Sequence, residues 1–379
     1  MPVDNNNRLH PALYPLLRHL LFLIDAEQAH RIVLLLLRAV HAIPGVGALM
    51  RAVFRVNHPA LATEVMGLRF PNPVGLAAGL DKNGECYGAL MDLGFGSVEI
   101  GTVTPLPQPG NPKRRIFRLP AQHAVINRMG FPSDGLEGVL PRLTCGTRRG
   151  ILGVNIGKNK QTPNERAVDD YLEVLRAVYA CADYVTINVS SPNTPQLREL
   201  QNRTNLGALL AALKSEQIML GKTRRVYVPI ALKVSPDLGI DELNTVAELV
   251  REHRIDAVVA TNTTIERTGV EHELLATETG GLSGQPLKQR STEVIRQLYN
   301  QLRGEIPIIG VGGIETADDA WEKLVAGADL VQVYTGFIYR GPMIARTICK
   351  GLSRRTAAAG CDTLREAVEK ARSGVHLMR

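Results

Sequence analysis

A rhythm that begins after residue 70 constrains the fold most. Short runs rich in Val, Ile and Gly each end in polar or glycine residues, and most are followed by a helical stretch. The runs are PVGLAAGL (73–80), FGSVEIGT (95–102), GILGVNIG (150–157), YVTINVS (184–190), PIALKVS (229–235), AVVATNT (257–263), PIIGVGG (307–313) and LVQVYTG (330–336). None alternates cleanly between apolar and polar residues, as expected of strands buried on both faces of a parallel sheet. Helical stretches, among them 169–180, 240–253 and 316–327, lie between them. Eight strands alternating with helices predict an α/β fold, a closed (β/α)8 TIM barrel. An open doubly wound sheet is the rival. It would carry fewer strands and a glycine fingerprint after the first, and GLAAGLDKNG is not G-x-G-x-x-G.

A barrel of this kind needs about 250 residues, and the chain has 379. The expected division is an N-terminal helical segment (1–58), a barrel (59–349) and a basic C-terminal extension (350–379). Residues 11–56 read as two helices and a connection (Ile43-Pro44-Gly45). Arg31 and Arg38, seven apart, share one side of the second helix, and Ile32, Val33, Leu36 and Leu37 cover the other. This is an amphipathic hairpin, either packed on the barrel or lying in a membrane interface. No spanning helix is expected, because Arg18, Asp25, Arg31 and Arg38 interrupt its apolar runs. The start MPVDNNNR lacks the basic region and unbroken apolar stretch of a signal peptide.

The net charge of +7 is confined to the ends. Residues 1–58 carry +3 and residues 350–379 carry +4, while the 291 residues between hold 31 charges of each sign. A neutral body with basic ends suits an anionic surface at the ends, or solvated helix faces, better than a nucleic-acid groove. Aromatics at 4% also supply few platforms for stacking bases. Cys86, Cys145, Cys181, Cys349 and Cys361 are scattered with no C-x-x-C pair. That spacing argues against disulfide, zinc and iron–sulfur frameworks and fits a reducing compartment.

Polar residues at the C-terminal ends of barrel strands point into the active site. In strand order they are Asp81-Lys82, Thr102, Asn155, Asn188, Lys233, Thr261-Asn262-Thr263, Gly312-Gly313 and Tyr334-Thr335. Each alone could be a turn cap or a snorkelling lysine. Together they predict one polar mouth. GVGGI before Thr316-Ala317-Asp318, and YTGFIYRGP at strand eight, form a phosphate-site pattern that fits FMN and sugar phosphates equally. The loop NVSSPNTPQLREL (188–200) places Ser190-Ser191-Pro192-Asn193 over the mouth, and no G-x-S-x-G elbow accompanies it.

Taken together, GLAAGLDKNGE, EIGTVTPLPQPGNPKRRIFRL, INRMGF, GVNIGKNK, INVSSPNTPQLREL, IALKVSPDL, ATNTT, GGLSGQPL, IIGVGGI and VQVYTGFIYRGP resemble the dihydroorotate dehydrogenase family. The likeness is to its membrane-associated, quinone-using class and runs from about residue 10 to 349. It implies FMN-dependent oxidation of dihydroorotate to orotate in pyrimidine biosynthesis. The implied flavin site is Ala78, Gly79, Leu80, Asp81, Lys82, Thr102, Asn155, Asn188, Lys233, Thr261, Gly284, Gly313, Tyr334 and Thr335. The implied orotate site is Lys82, Asn127, Arg128, Met129, Gly130, Phe131, Asn188, Asn193, Asn262 and Thr263. Ser191 stands where that class has its catalytic base, and the soluble class has cysteine there. AEQAHRI (26–32) is similar to the helix lining that class's quinone tunnel, with His30, Arg118 and Tyr334 as matching positions.

The implied partners are dihydroorotate and orotate, a membrane quinone and membrane lipid, with no nucleic acid and no iron–sulfur subunit. The implied location is peripheral, on the cytoplasmic face of the inner membrane. No metal is expected. Two features depart from the family pattern. Pro132-Ser133 follows Phe131 where two asparagines or Asn-Ser are common, and residues 350–379 have no counterpart. The rivals are a soluble member using fumarate or a partner subunit, another flavin barrel such as a tRNA dihydrouridine synthase, and a phosphate-binding barrel without redox function.

Overall fold

The computed structural model describes residues 13–143 and 150–376, so the first twelve residues, Cys145 and the last three residues lie outside the described part. Helices α1 (Leu13–Phe22), α2 (Ala26–His41) and α3 (Val46–Phe54) open the chain, and a small hairpin follows, β1 (Thr63–Val65) with β2 (Leu68–Phe70). Then come β3 (Val74–Leu76), α4 (Tyr87–Asp92), β4 (Ser97–Val103), β5 (Ile116–Leu119), β6 (Ala124–Asn127), α5 (Gly135–Leu143) and β7 (Ile151–Ile156). Next are α6 (Ala167–Val178), β8 (Tyr184–Asn188), α7 (Arg203–Arg224), β9 (Ile230–Val234), α8 (Ile240–Glu252), β10 (Ala257–Ala260) and β11 (Gly281–Gly284). The rest is α9 (Lys288–Leu302), β12 (Ile308–Val311), α10 (Ala317–Ala326), β13 (Leu330–Val333), α11 (Thr335–Arg340), α12 (Ile344–Ala358) and α13 (Leu364–His376).

Strands β3, β4, β7, β8, β9, β10, β12 and β13 pair in parallel in that order, and β13 closes on β3. These are the eight runs read from the sequence. Every residue of these strands is buried except Ile151, because helices cover the outside and side chains fill the inside.

Two long stretches interrupt the strand–helix rhythm, one between β4 and β7 and one between β10 and α9, and they fold together. Residues 116–127 form the hairpin β5–β6, and β11 adds to β6 antiparallel, with Gly281 opposite Asn127 and Gly284 opposite Ala124. The departure at Ser133 keeps a polar role, since its Oγ accepts from the N–H groups of Thr104 and Gly135.

The N-terminal segment differs from expectation: its described residues hold three helices. The apolar run LLFLI crosses a break at Leu23–Asp25, where the Asp25 carboxylate accepts from the N–H groups of Glu27 and Gln28 and starts α2. The expected apolar side of α2 also divides. Val33 and Leu37 are half-buried, Leu34 and Leu37 pack on the core, and Ile32 and Leu36 face outward with Arg31 and Arg38. Tyr14 and Arg18 of α1 donate to the carbonyls of Ile338 and Tyr339 at the end of α11, which seats the segment beside strand eight. At the other end of the chain, α13 packs on α10, and Arg372 donates to the Leu324 and Ala328 carbonyls.

Candidate active site

The C-terminal ends of the barrel strands and one edge of the β5–β6–β11 sheet enclose a cavity of about 980 Å³, open mouth included. That is ample for a drug-sized ligand. The barrel contributes Ala78, Gly79, Lys82, Thr102, Asn188, Ser191, Asn193, Lys233, Thr261, Asn262, Thr263, Gly313, Tyr334 and Thr335 to the wall. The sheet and the turn after it add Asn127, Met129, Gly130, Phe131 and Gly284. Four residues expected in the flavin and orotate sites lie outside this wall. Leu80 and Asp81 are buried behind it, and Asp81 accepts from the N–H groups of Glu85 and Cys86. Arg128 turns away to pair with Glu278 and cover the Phe117 ring. Asn155 sits one layer below.

That lower layer organises the amides above it. Asn155 Oδ1 accepts from Thr102 Oγ1 at 2.6 Å and from Asn188 Nδ2 at 3.0 Å. Asn188 Oδ1 in turn accepts from Asn262 Nδ2 at 3.1 Å. Across the mouth, Asn193 Nδ2 donates to Asn127 Oδ1 at 3.1 Å. Ser191 is buried, and its Oγ accepts from the Asn193 N–H at 3.3 Å. Asn193 Oδ1, Thr263 Oγ1 and Gln332 Oε1, all on residues of this wall, are buried without a hydrogen-bond partner. Each such buried polar atom left unpaired costs about 1–3 kcal/mol, so the wall is built for a ligand with complementary polar edges.

Two lysines bring positive charge. Lys82 donates to the Gly79 carbonyl; burial and then the Arg115 guanidinium pull its ammonium down to about 8, against the opposing charges of Glu27 and Asp81. Lys233 is buried inside the barrel, and burial lowers its basicity while the carboxylate of Glu99 counteracts it.

At the strand-seven and strand-eight end, the wall is largely backbone. Gly313 has φ +69°, and a Cβ there would strike the Lys288 Cβ at 2.4 Å. Gly284 has φ +99°, and its Cβ would lie 2.2 Å from the His123 carbonyl oxygen. Only glycine permits both conformations and this closeness. Thr335 Oγ1 donates to Ser283 Oγ at 2.8 Å beside them.

The three residues matched to a quinone path surround the loop after β3 and the end of α1. His30 Nε2 lies 2.7 Å from the Leu80 carbonyl, and Tyr334 donates to the Gly79 carbonyl at 3.4 Å. Burial, then the Lys82 charge, pull His30 down to about 4, so its ring is neutral at pH 7. Arg118 donates to the Leu21 and Ile24 carbonyls and covers the Phe22 ring at 4.6 Å. Among the described residues no group of three or more His, Cys, Asp or Glu could hold a metal ion.

A family profile for dihydroorotate dehydrogenase matches residues 60–356. The chain belongs to the dihydroorotate dehydrogenase family. It is 52% identical to the dihydroorotate dehydrogenase (quinone) of Nitrosomonas europaea over 92% of this chain and 100% of that protein. It is 54% identical to the Chromobacterium violaceum protein of the same name, over 87% of this chain and 94% of that one. A crystal structure of DHODH from Eimeria tenella in complex with ferulenol superposes with TM-score 0.82 and 40% identity. That match covers 91% of this chain and 95% of the other.

Members of the dihydroorotate dehydrogenase family are flavin-dependent. The wall suits such a group in its chemistry: glycine backbone at Gly284, Gly312 and Gly313 suits a phosphate, and unpaired amide and hydroxyl atoms suit a heteroaromatic ring. Sequence reasoning missed Ser283, Leu287 and Gln332 in the wall, and Glu99 beneath it. A signal for Glu99 was present, because a carboxylate in a strand buried on both faces needs a dedicated set of donors.

Proposed function

We propose that this chain oxidises dihydroorotate to orotate with bound FMN and delivers the electrons to a membrane quinone. The observation that carries the proposal is the convergence of Ser191, Lys82, Lys233 and the amides of Asn127, Asn188, Asn193 and Asn262 on one cavity. Bound FMN supplies the hydride acceptor. Lys82 meets the substrate carboxylate, and the amides offer both donors and acceptors to a ring that alternates them. Ser191 Oγ acts as the base that takes the ring proton, a role supported by its place on the cavity wall beside Asn193. Lys233 supplies positive charge on the cavity floor, where negative charge accumulates on reduction.

A quinone acceptor fits the N-terminal helices. Leu16, Leu17, Leu20, Leu23, Ile32, Leu35, Leu36, Val40, Ile43 and Leu49 are all exposed on α1–α3 and their links. So many exposed apolar side chains on one segment mark an interaction site. No single described helix is long and apolar enough to cross a membrane, and α2 and α3 bend by 112° at their junction. A peripheral seat at the headgroup boundary, with Arg31 and Arg38 near anionic lipid, accounts for both facts. The cytoplasmic face of the inner membrane is the corresponding location.

Stopped-flow reduction of the enzyme-bound flavin by dihydroorotate, followed by reoxidation with quinone or fumarate, tests this. Bleaching by dihydroorotate and faster recovery with quinone are expected. No bleaching, released flavin that proves to be FAD, or recovery by fumarate alone would overturn it.

A further inference from the structure

The barrel interior below the amides contains a buried carboxylate that neither the resemblance nor the chemistry above uses. Glu99, in the middle of β4, is 1% exposed. Its Oε1 accepts from Asn155 Nδ2 at 2.9 Å. Its Oε2 accepts from Tyr184 Oη at 3.0 Å, Thr186 Oγ1 at 3.0 Å and Gln332 Nε2 at 2.9 Å. We infer that Glu99 is a positioning residue that dictates which end of each cavity amide donates and which accepts, and that it supplies the counter-charge for Lys233. The inference rests on the functional reading above.

An amide side chain has nearly the same shape in either orientation, so only its partners decide which way it faces. An ionised carboxylate can only accept. Asn155 must therefore turn its NH2 down to Glu99, which leaves Oδ1 pointing up to Thr102 and Asn188. Asn188 must then offer its NH2 to Asn155, which leaves its own oxygen to receive Asn262. One charge at the bottom sets the polarity of three successive amides. The three donors on Oε2 come from β8 and β13 and prevent the carboxylate from rotating away. The same charge opposes the loss of the Lys233 proton that burial favours.

Neutron diffraction from the deuterated wild-type holoenzyme tests the polarity without a variant. Deuterons on Asn155 Nδ2 facing Glu99, with none on the carboxylate, are expected. A protonated Glu99 or an inverted Asn155 overturns the inference. Glu99→Gln keeps the shape but can face Asn155 as donor or acceptor. Its orotate affinity should fall by roughly tenfold or more. The alkaline limb of flavin reduction by dihydroorotate should move down by about one pH unit or more, since a neighbouring opposite charge shifts a pKa by about 1–3 units. Thr186→Val removes one of the three donors on Oε2 and leaves the charge held by Tyr184 and Gln332, so it should lower the melting temperature while keeping both readouts. A folded E99Q with wild-type affinity and pH profile would overturn the inference, as would equal changes in T186V. If the wild-type flavin is not reduced by dihydroorotate, the functional reading fails, and the neutron maps still decide the role of Glu99.

Discussion

Orotate binding should depend on pH in a way that the surroundings of Lys82 specify. Its ammonium is enclosed on the cavity wall and donates to the Gly79 carbonyl. Burial, followed by the charge of Arg115, brings it to about 8, although Glu27 and Asp81 oppose the shift. If the substrate carboxylate requires the charged form, the apparent dissociation constant is the intrinsic one divided by the charged fraction. That fraction is about 0.91 at pH 7 and about 0.09 at pH 9, so affinity should weaken roughly tenfold across the interval and about tenfold per unit beyond it. An ordinary lysine near 10.5 would leave affinity nearly flat over the same range. The assay is the perturbation of the flavin absorbance by orotate, titrated between about pH 6 and 10. Lys82→Arg keeps a cation that does not titrate here and should flatten the curve. Wild-type affinity that stays constant to about pH 9.5, or a decline that persists unchanged in K82R, would refute this account of Lys82.

Other perturbations separate the parts of the molecule. Ser191→Ala should retain flavin and orotate but slow flavin reduction by roughly 10²–10⁴, the worth of a positioned base, and wild-type single-turnover rates would remove Ser191 from that role. Glu27→Gln strips the bidentate partner from Arg115, whose side chain is 7% exposed, and should cost about 3 kcal/mol in urea unfolding at pH 7. Burial pushes the Glu27 carboxyl up, but the hydrogen bond and charge of Arg115 outweigh it and hold it below 4.5. Its stabilisation is therefore complete above pH 4.5 and is lost as pH falls through the lowered value, and E27Q should abolish that acid-side loss. Leu20→Asp with Leu36→Asp changes only exposed side chains, so stability should hold within about 0.5 kcal/mol per site. Sedimentation with anionic liposomes and turnover of long-chain quinone should nevertheless fall, with short soluble quinones still used. Undiminished liposome binding would remove the membrane role of α1–α3.

What could be read from the chain divides by the range of the interactions that create it. The barrel was legible because each strand is announced by its own apolar run, and the mouth because each strand end carries its own polar residue. The break at Leu23–Asp25 was a local feature masked by a continuous apolar run, and Asp25 two residues before Glu27 was the available cue. The sheet of β5, β6 and β11 was not legible, since β6 pairs with a strand more than 150 residues away whose sequence, GLSG, carries no strand pattern. Glu99 stood in plain view inside FGSVEIGT, yet its significance depends on donors from β7, β8 and β13. Those strands meet around one carboxylate only after the barrel has closed. A lone acid in a doubly buried strand therefore implies donors elsewhere in the chain, because its charge cannot be buried unpaired. In a parallel barrel those donors must come from inward-facing positions on other strands. Searching the remaining runs for inward polar residues, Thr186 in YVTINVS and Gln332 in LVQVYTG, would have found half of the ring that holds it.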